Sequence, residues 1–158
     1  MIRQAAIFTL LASAAAAQDA EPRNQLVEGY MACLSGGNQV DLTEAMLTSL
    51  YWTRNDDGEE GLIYFYPGVG DDTIVYMAEG SFCHVESTSV DSSTASEILA
   101  AALGGEDGAP FVYSKDGMGC TRLDFDTGVS ATVTSAGNDP TCGSDTDSGV
   151  RFEATPIE

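Results

Sequence analysis

The chain has 158 residues, with 25 Asp and Glu against 6 Lys and Arg, for a formal net charge of −19. A field of that sign repels phosphate backbones and anionic lipid, both of which call for basic surface, so nucleic-acid and membrane-surface binding are excluded. The charge fits a dissolved protein in salty surroundings, a cationic partner, or Ca²⁺.

Met1-Ile2-Arg3 is followed by a run from Ala5 to Ala17 that is apolar except for Thr9 and Ser13 and ends in Ala15-Ala16-Ala17 before Gln18. This predicts a signal peptide over residues 1–17, cut near Ala17-Gln18, with residues 18–158 as a single exported domain, periplasmic or extracellular. The run is too short for a bilayer span of about 20 residues, and no later stretch approaches that length, so the mature form is expected not to insert. Losing Arg3 makes the mature chain one unit more negative.

Four cysteines in an exported chain read as two disulfides. Their order favours Cys33–Cys83 and Cys120–Cys142, one staple per half of the chain, each worth roughly 3–4 kcal/mol in the chain-entropy picture. Zinc is a poor competitor, because no two cysteines sit two to four residues apart and the chain has one His.

The first helix is predicted with Pro22 in its first turn, Leu26, Val27, Tyr30, Met31 and Leu34 at helical spacing, and Gly36-Gly37 as its stop. Asp41 with Glu44 reads as a capping box opening a second helix, with Leu42, Ala45, Met46, Ser49 and Leu50 on one face and an end near Tyr51-Trp52. After an acidic loop over residues 55–61, the runs Leu62–Tyr66, Thr73–Ala78 and Gly80–Ser87 form a three-stranded meander. A third helix follows Val90-Asp91, with Thr94 and Glu97 matching a capping box or a start two or three residues earlier, an apolar stripe at Ala95, Ile98, Leu99, Ala102 and Leu103, and an end at Gly104-Gly105. The loop at residues 106–108 leads to strands at Phe111–Ser114, Gly119–Phe125, Val129–Ser135 and Val150–Ala154.

The expected fold class is therefore α+β: a two-layer domain with three helices and antiparallel meander strands in the order ααβββαββββ, stapled by two disulfides. Val129, Ala131 and Val133 alternate with Ser130, Thr132 and Thr134, which predicts one buried and one wet face. A faint echo, Val75-Tyr76 leading to Cys83 and Val112-Tyr113 leading to Cys120, admits a duplicated helix plus three strands as well as chance.

Cys83-His84 suggests a reacting pair, but neighbours in a strand point to opposite faces. Cys83 and Val85 are assigned to the core face, and Phe82, His84 and Glu86 to the other. Ser-His chemistry would have to rest on His84, and Ser-Lys chemistry on Lys115, the one lysine, which sits in a turn with no S-x-x-K before it. The loop Gly68–Thr73 leads into a strand and carries Asp71-Asp72, so it is no phosphate cradle. Asp145 and Asp147 are weak Ca²⁺ candidates, because an EF-hand count from Asp145 puts Gly149 fifth and Pro156 twelfth. Trp52, Tyr64, Tyr66 and His84 outline a candidate interaction face. Leu62, Tyr64 and Tyr66 share one strand face and Ile63 and Phe65 the other, so the sheet is expected to be covered on both sides, with an outer aromatic patch as the alternative.

In size, charge and expected compartment the chain resembles small acidic periplasmic lysozyme inhibitors, which implies a cationic protein partner, although none of their inhibitory loop motifs is matched. The first expectation is a non-enzymatic binding domain without a cofactor, acting on an envelope or cationic protein. A Ca²⁺-binding module using the acidic loops is the second, and a hydrolase with a cleft lined by His84 and carboxylates the third.

Overall fold

The computed structural model describes residues 8–56, 61–103 and 110–154, and side chains from residue 21 onward. The expected ends at residues 104–108 and most of the acidic loop at 55–61 lie outside the described residues. The helices are α1 (Phe8–Gly36), α2 (Val40–Ser49) and α3 (Ser92–Leu103). The strands are β1 (Thr53–Asn55), β2 (Ile63–Tyr66), β3 (Thr73–Ala78), β4 (Phe82–Ser87), β5 (Phe111–Lys115), β6 (Thr121–Phe125), β7 (Val129–Thr134) and β8 (Ser148–Ala154). The α+β class and both disulfides are as expected, and β1 is one strand more than the pattern announced.

All eight strands form one antiparallel sheet in the order β1-β2-β3-β4-β8-β7-β6-β5. The last strand inserts beside β4, joining two four-stranded meanders through the β4–β8 pair. Each meander follows a helix, with α1 over β3 and β4 and α3 over β7 and β8. Matching the two meanders strand by strand sets β3 against β7, whereas the sequence echo set β3 against β5, so the echo does not follow the strand order.

Period-two alternation sorts every strand onto two faces. The inner row Ile63, Met77, Cys83, Phe152, Ala131, Leu123 and Tyr113 runs across seven strands under or beside the helices. Leu26, Tyr30 and Cys33 of α1 and Leu99 and Leu103 of α3 pack on this side, with Tyr30 against Phe152 at 6.0 Å between ring centroids. Gly29 allows the close approach, since a Cβ there would lie 2.9 Å from Val85 Cγ1 and 3.1 Å from Val75 Cγ2. All three helices pack on this face, which corrects the expectation that the sheet is covered on both sides. The helical stripes are satisfied by one sheet face, because α1 and α3 lie side by side on it.

Several local expectations are also corrected. The described part of α1 runs from Phe8, so in the full chain Pro22 stands inside it instead of in its first turn; the alanine-rich run before Pro22 has high helix propensity and continues the helix. Gln39, not Asp41, is the N-cap of α2, and the Val40 N–H is received by Glu79 Oε2 at 2.8 Å. The helix starts two residues earlier than a cap at Asp41 would allow, and it turns Val40, Thr43 and Leu47 inward and leaves Leu42 half-exposed. Gly36 without a side chain lets Thr43 close against α1. In α3 the cap is Asp91, whose Oδ1 accepts the Thr94 N–H at 2.9 Å, so the earlier of the two expected starts holds and Thr94 is the third helical residue. The outer face of β7 is not wet: Ser130 and Thr134 are buried among their neighbours.

α2 ends in paired bonds from Tyr51 N to Thr48 O (3.1 Å) and from Trp52 N to Leu47 O (3.0 Å), an ending that places Tyr51 at φ +66° where glycine is favoured. A non-glycine residue in that conformation costs about 1–2 kcal/mol.

The loop between β7 and β8 carries Cys142, and hydrogen bonds hold it together with the disulfide. Ser144 N donates to Ser92 Oγ (2.9 Å), Ser92 N to Ser144 O (3.0 Å), and Ala136 N to Asp147 Oδ1 (2.8 Å). Cys142 bonds Cys120 ahead of β6, and Cys33 of α1 bonds Cys83 of β4 with the Cα atoms 5.5 Å apart. Cys33→Ser and Cys83→Ser are expected to lower stability equally, by about 2–5 kcal/mol, and the double variant to match either single one. Urea unfolding of the three variants checks this, and a double variant clearly weaker than both singles contradicts it.

Candidate functional site

The face away from the helices carries a second row, one residue per strand: Asn55, Tyr64, Tyr76, His84, Arg151, Thr132, Arg122 and Ser114. No described helix lies over it. Its β2–β4 half is aromatic. Tyr64 and Tyr76 lie 5.6 Å apart, His84 stacks on Tyr76 at 4.8 Å and 11°, Phe82 meets Tyr76 edge-on at 6.1 Å, and the Arg151 guanidinium sits 4.1 Å over the Phe82 ring. The Tyr64, Tyr76 and His84 rings therefore stand side by side, with Phe82 set edge-on to them.

His84 is buried although it lies on this outer face. Its Nε2 is 3.5 Å from Glu86 Oε1, too far for a hydrogen bond, and Nε2 has no other partner. Glu86 Oε1 instead accepts from Tyr76 Oη at 2.9 Å and from Gly137 N at 3.1 Å. The imidazole fits because Gly149 is opposite Glu86; a Cβ at Gly149 would lie 2.7 Å from Nε2. Burial, helped by the Arg151 charge, pushes the His84 pKa down to about 3, and the nearby Glu86 carboxylate does not offset this. The same burial, with Glu86 beside the hydroxyl, raises the Tyr76 phenol.

An enclosed, neutral imidazole stacked on a tyrosine is placed as a wall of the row and not as a base open to substrate. Cys83 points to the inner face and is bonded to Cys33, so the two neighbours part as the alternation predicted. Lys115 donates to Thr121 Oγ1 at 3.1 Å at the far edge strand.

The structure brings together Tyr64, Tyr66 and His84 of the expected face, with Tyr66 39% exposed, but not Trp52. Trp52 is 3% exposed, and its indole N–H donates to Glu28 Oε2 of α1 at 2.7 Å. It precedes β1 and turns into the core, which corrects its placement on the face. Phe82 and Arg151 complete the row. Period two had already put Phe82 on this side, but no signal placed the strand of Arg151 beside β4.

Asp145 and Asp147 diverge. Asp145 lines a cavity of about 460 Å³ at the start of α3 together with Asp91 and Glu97, while Asp147 is absent from its walls. The Asp147 carboxylate accepts from Ala136 N and Thr146 Oγ1, bonds that hold it below the usual carboxylate range. Among the described residues, the one group of three His, Cys, Asp or Glu donors close enough to share an ion is Asp116, Cys120 and Cys142, whose two sulfurs are bonded to each other.

No helix among the described residues is long and apolar enough to cross a membrane. No protein-family model, curated protein or solved structure matches the chain.

The His84 environment generates a pH prediction. Above about pH 6.5 the imidazole is neutral in both folded and unfolded chains and contributes no pH dependence. Between that value and about pH 3 the unfolded chain takes a proton that the folded one refuses, so stability falls as pH falls. Going from pH 7.5 to 5.5, the wild type is expected to lose about 1.4 kcal/mol more than His84→Gln, read from urea midpoints. Equal losses contradict the buried neutral imidazole.

Proposed function

We propose that the chain is an exported, non-enzymatic binding domain that docks a cationic protein on the outer face of its sheet. The observation that carries the reading is the distribution of charge. The outer-facing strand positions hold Glu86, Asp124 and Glu153 against Arg122 and Arg151, one net negative charge on a chain of −19. Both arginines are paired along their own strands, Arg122 to Asp124 at 2.6 Å and Arg151 to Glu153 at 2.8 Å. A surface poor in unpaired charge and rich in Tyr, Phe and Arg has the composition of a protein interface. The surrounding acidic surface supplies a long-range field that steers a basic partner toward it.

The export part of the reading rests on the Ala5–Ala17 run, with removal of residues 1–17 cutting α1 back toward Pro22, and on two disulfides, which persist in oxidising compartments. A non-catalytic role is supported by His84, whose Nε2 is enclosed.

The test is capture of basic envelope proteins by immobilised mature protein, with Tyr66→Glu alongside. The wild type is expected to retain a basic protein that high salt releases, and Tyr66→Glu to lose most of it with an unchanged melting temperature, since Tyr66 is an exposed strand residue. Recovery of the same proteins by both forms, or of none by either, overturns the reading.

A further inference from the structure

A second feature lies on the helix side, beside the short edge strand β1. Tyr51 occupies the left-handed position that ends α2, where glycine is favoured, yet the residue is 85% exposed. The fold therefore buries little of this residue. Its neighbour Trp52 turns inward onto Glu28.

Tyr51 borders a cleft of about 410 Å³ between α1, the end of α2 and the turn joining β2 to β3. Leu50 and the 67% exposed Val69 extend its apolar rim, and Glu21 and Glu28 stand in its wall; among the described residues no Lys, Arg or His lines it. The turn is pinned from both sides. Gln25 Nε2 donates to Val69 O at 2.7 Å, and Gly68 lies so close that a Cβ there would be 2.9 Å from Tyr51 O. The cleft is thus preformed, with an aromatic ring, aliphatic walls and two carboxylates.

We infer that this cleft captures an arginine side chain from a basic polypeptide. The guanidinium plane suits the Tyr51 ring and a carboxylate together, and the aliphatic stem suits Leu50 and Val69. Lysine, a compact and strongly hydrated charge, exploits such a site less well. The proposal shares with the preceding reading only the positive sign of the partner; the surface is a different one.

Calorimetric titration at low salt with a synthetic peptide of alternating arginine and leucine tests it, with the lysine and glutamate versions as comparisons. The wild type is expected to bind the arginine peptide best. Tyr51→Gly and Tyr51→Asn, both suited to the left-handed backbone, are expected to melt no lower than the wild type and to bind roughly tenfold more weakly. Glu21→Gln is expected to weaken binding as well, and Tyr66→Glu to leave it unchanged. Undiminished binding by the Tyr51 variants, sensitivity to Tyr66→Glu alone, or no binding by the wild type overturns the cleft. Capture on the sheet face is read independently and can stand or fall without it.

Discussion

The closure of α1 onto β4 is the contact on which the rest of the molecule depends. Gly29 brings the helix backbone down on Val85 and Val75, and one turn further along Cys33 is bonded to Cys83, two residues from Val85 on the same strand face. A helical spacing of four thus meets a strand spacing of two, and both contacts fall on one side of β4. Strand register carries that choice outward through β3 and β8 to every other strand, because a one-residue slip anywhere would turn the apolar set to solvent. The placement of His84, Tyr76 and Arg151 on the opposite face follows from this seam.

One-sided coverage then decides what the molecule offers to others. With three helices on the inner face, the outer face is left as a broad sheet whose charged and hydroxyl groups pair along their own strands or with the next one. Its aromatic half is held rigid by ring contacts, by the Arg151–Phe82 contact and by Glu86, which joins Tyr76 to the loop at Gly137. Preorganised rings lose little entropy on docking, so the same contacts that order the face also favour association. The acidic residues are concentrated elsewhere, on loops, helices and sheet edges, where they act at a distance.

Much of this was legible in the residues. The alternation Val129–Thr134 marked the helix-facing side of β7 but not the burial of its other side, the run Phe82–Glu86 parted Cys83 from His84 correctly, and the order of the four cysteines gave the pairing, because these signals are local or depend on few alternatives. Three kinds of information were not legible. The pairing of β8 with β4 joins segments more than sixty residues apart, and no pattern names a strand's neighbour. The face of α2 turned on a single residue, Val40, whose N–H is received by Glu79 from a distant turn. Trp52 and Tyr51 look alike as adjacent aromatics, and only the left-handed end of α2 sends one inward and the other out.

The central claim is that the face opposite the helices is where a basic partner docks. Nuclear magnetic resonance of tyrosine-labelled protein, titrated with a captured basic protein, addresses it most directly. The ring signals of Tyr64, Tyr66 and Tyr76 should shift, while those of buried Tyr30 and of Tyr113 on the far edge strand should hold. Shifts at Tyr113 with the three outer-face rings unmoved would contradict the account.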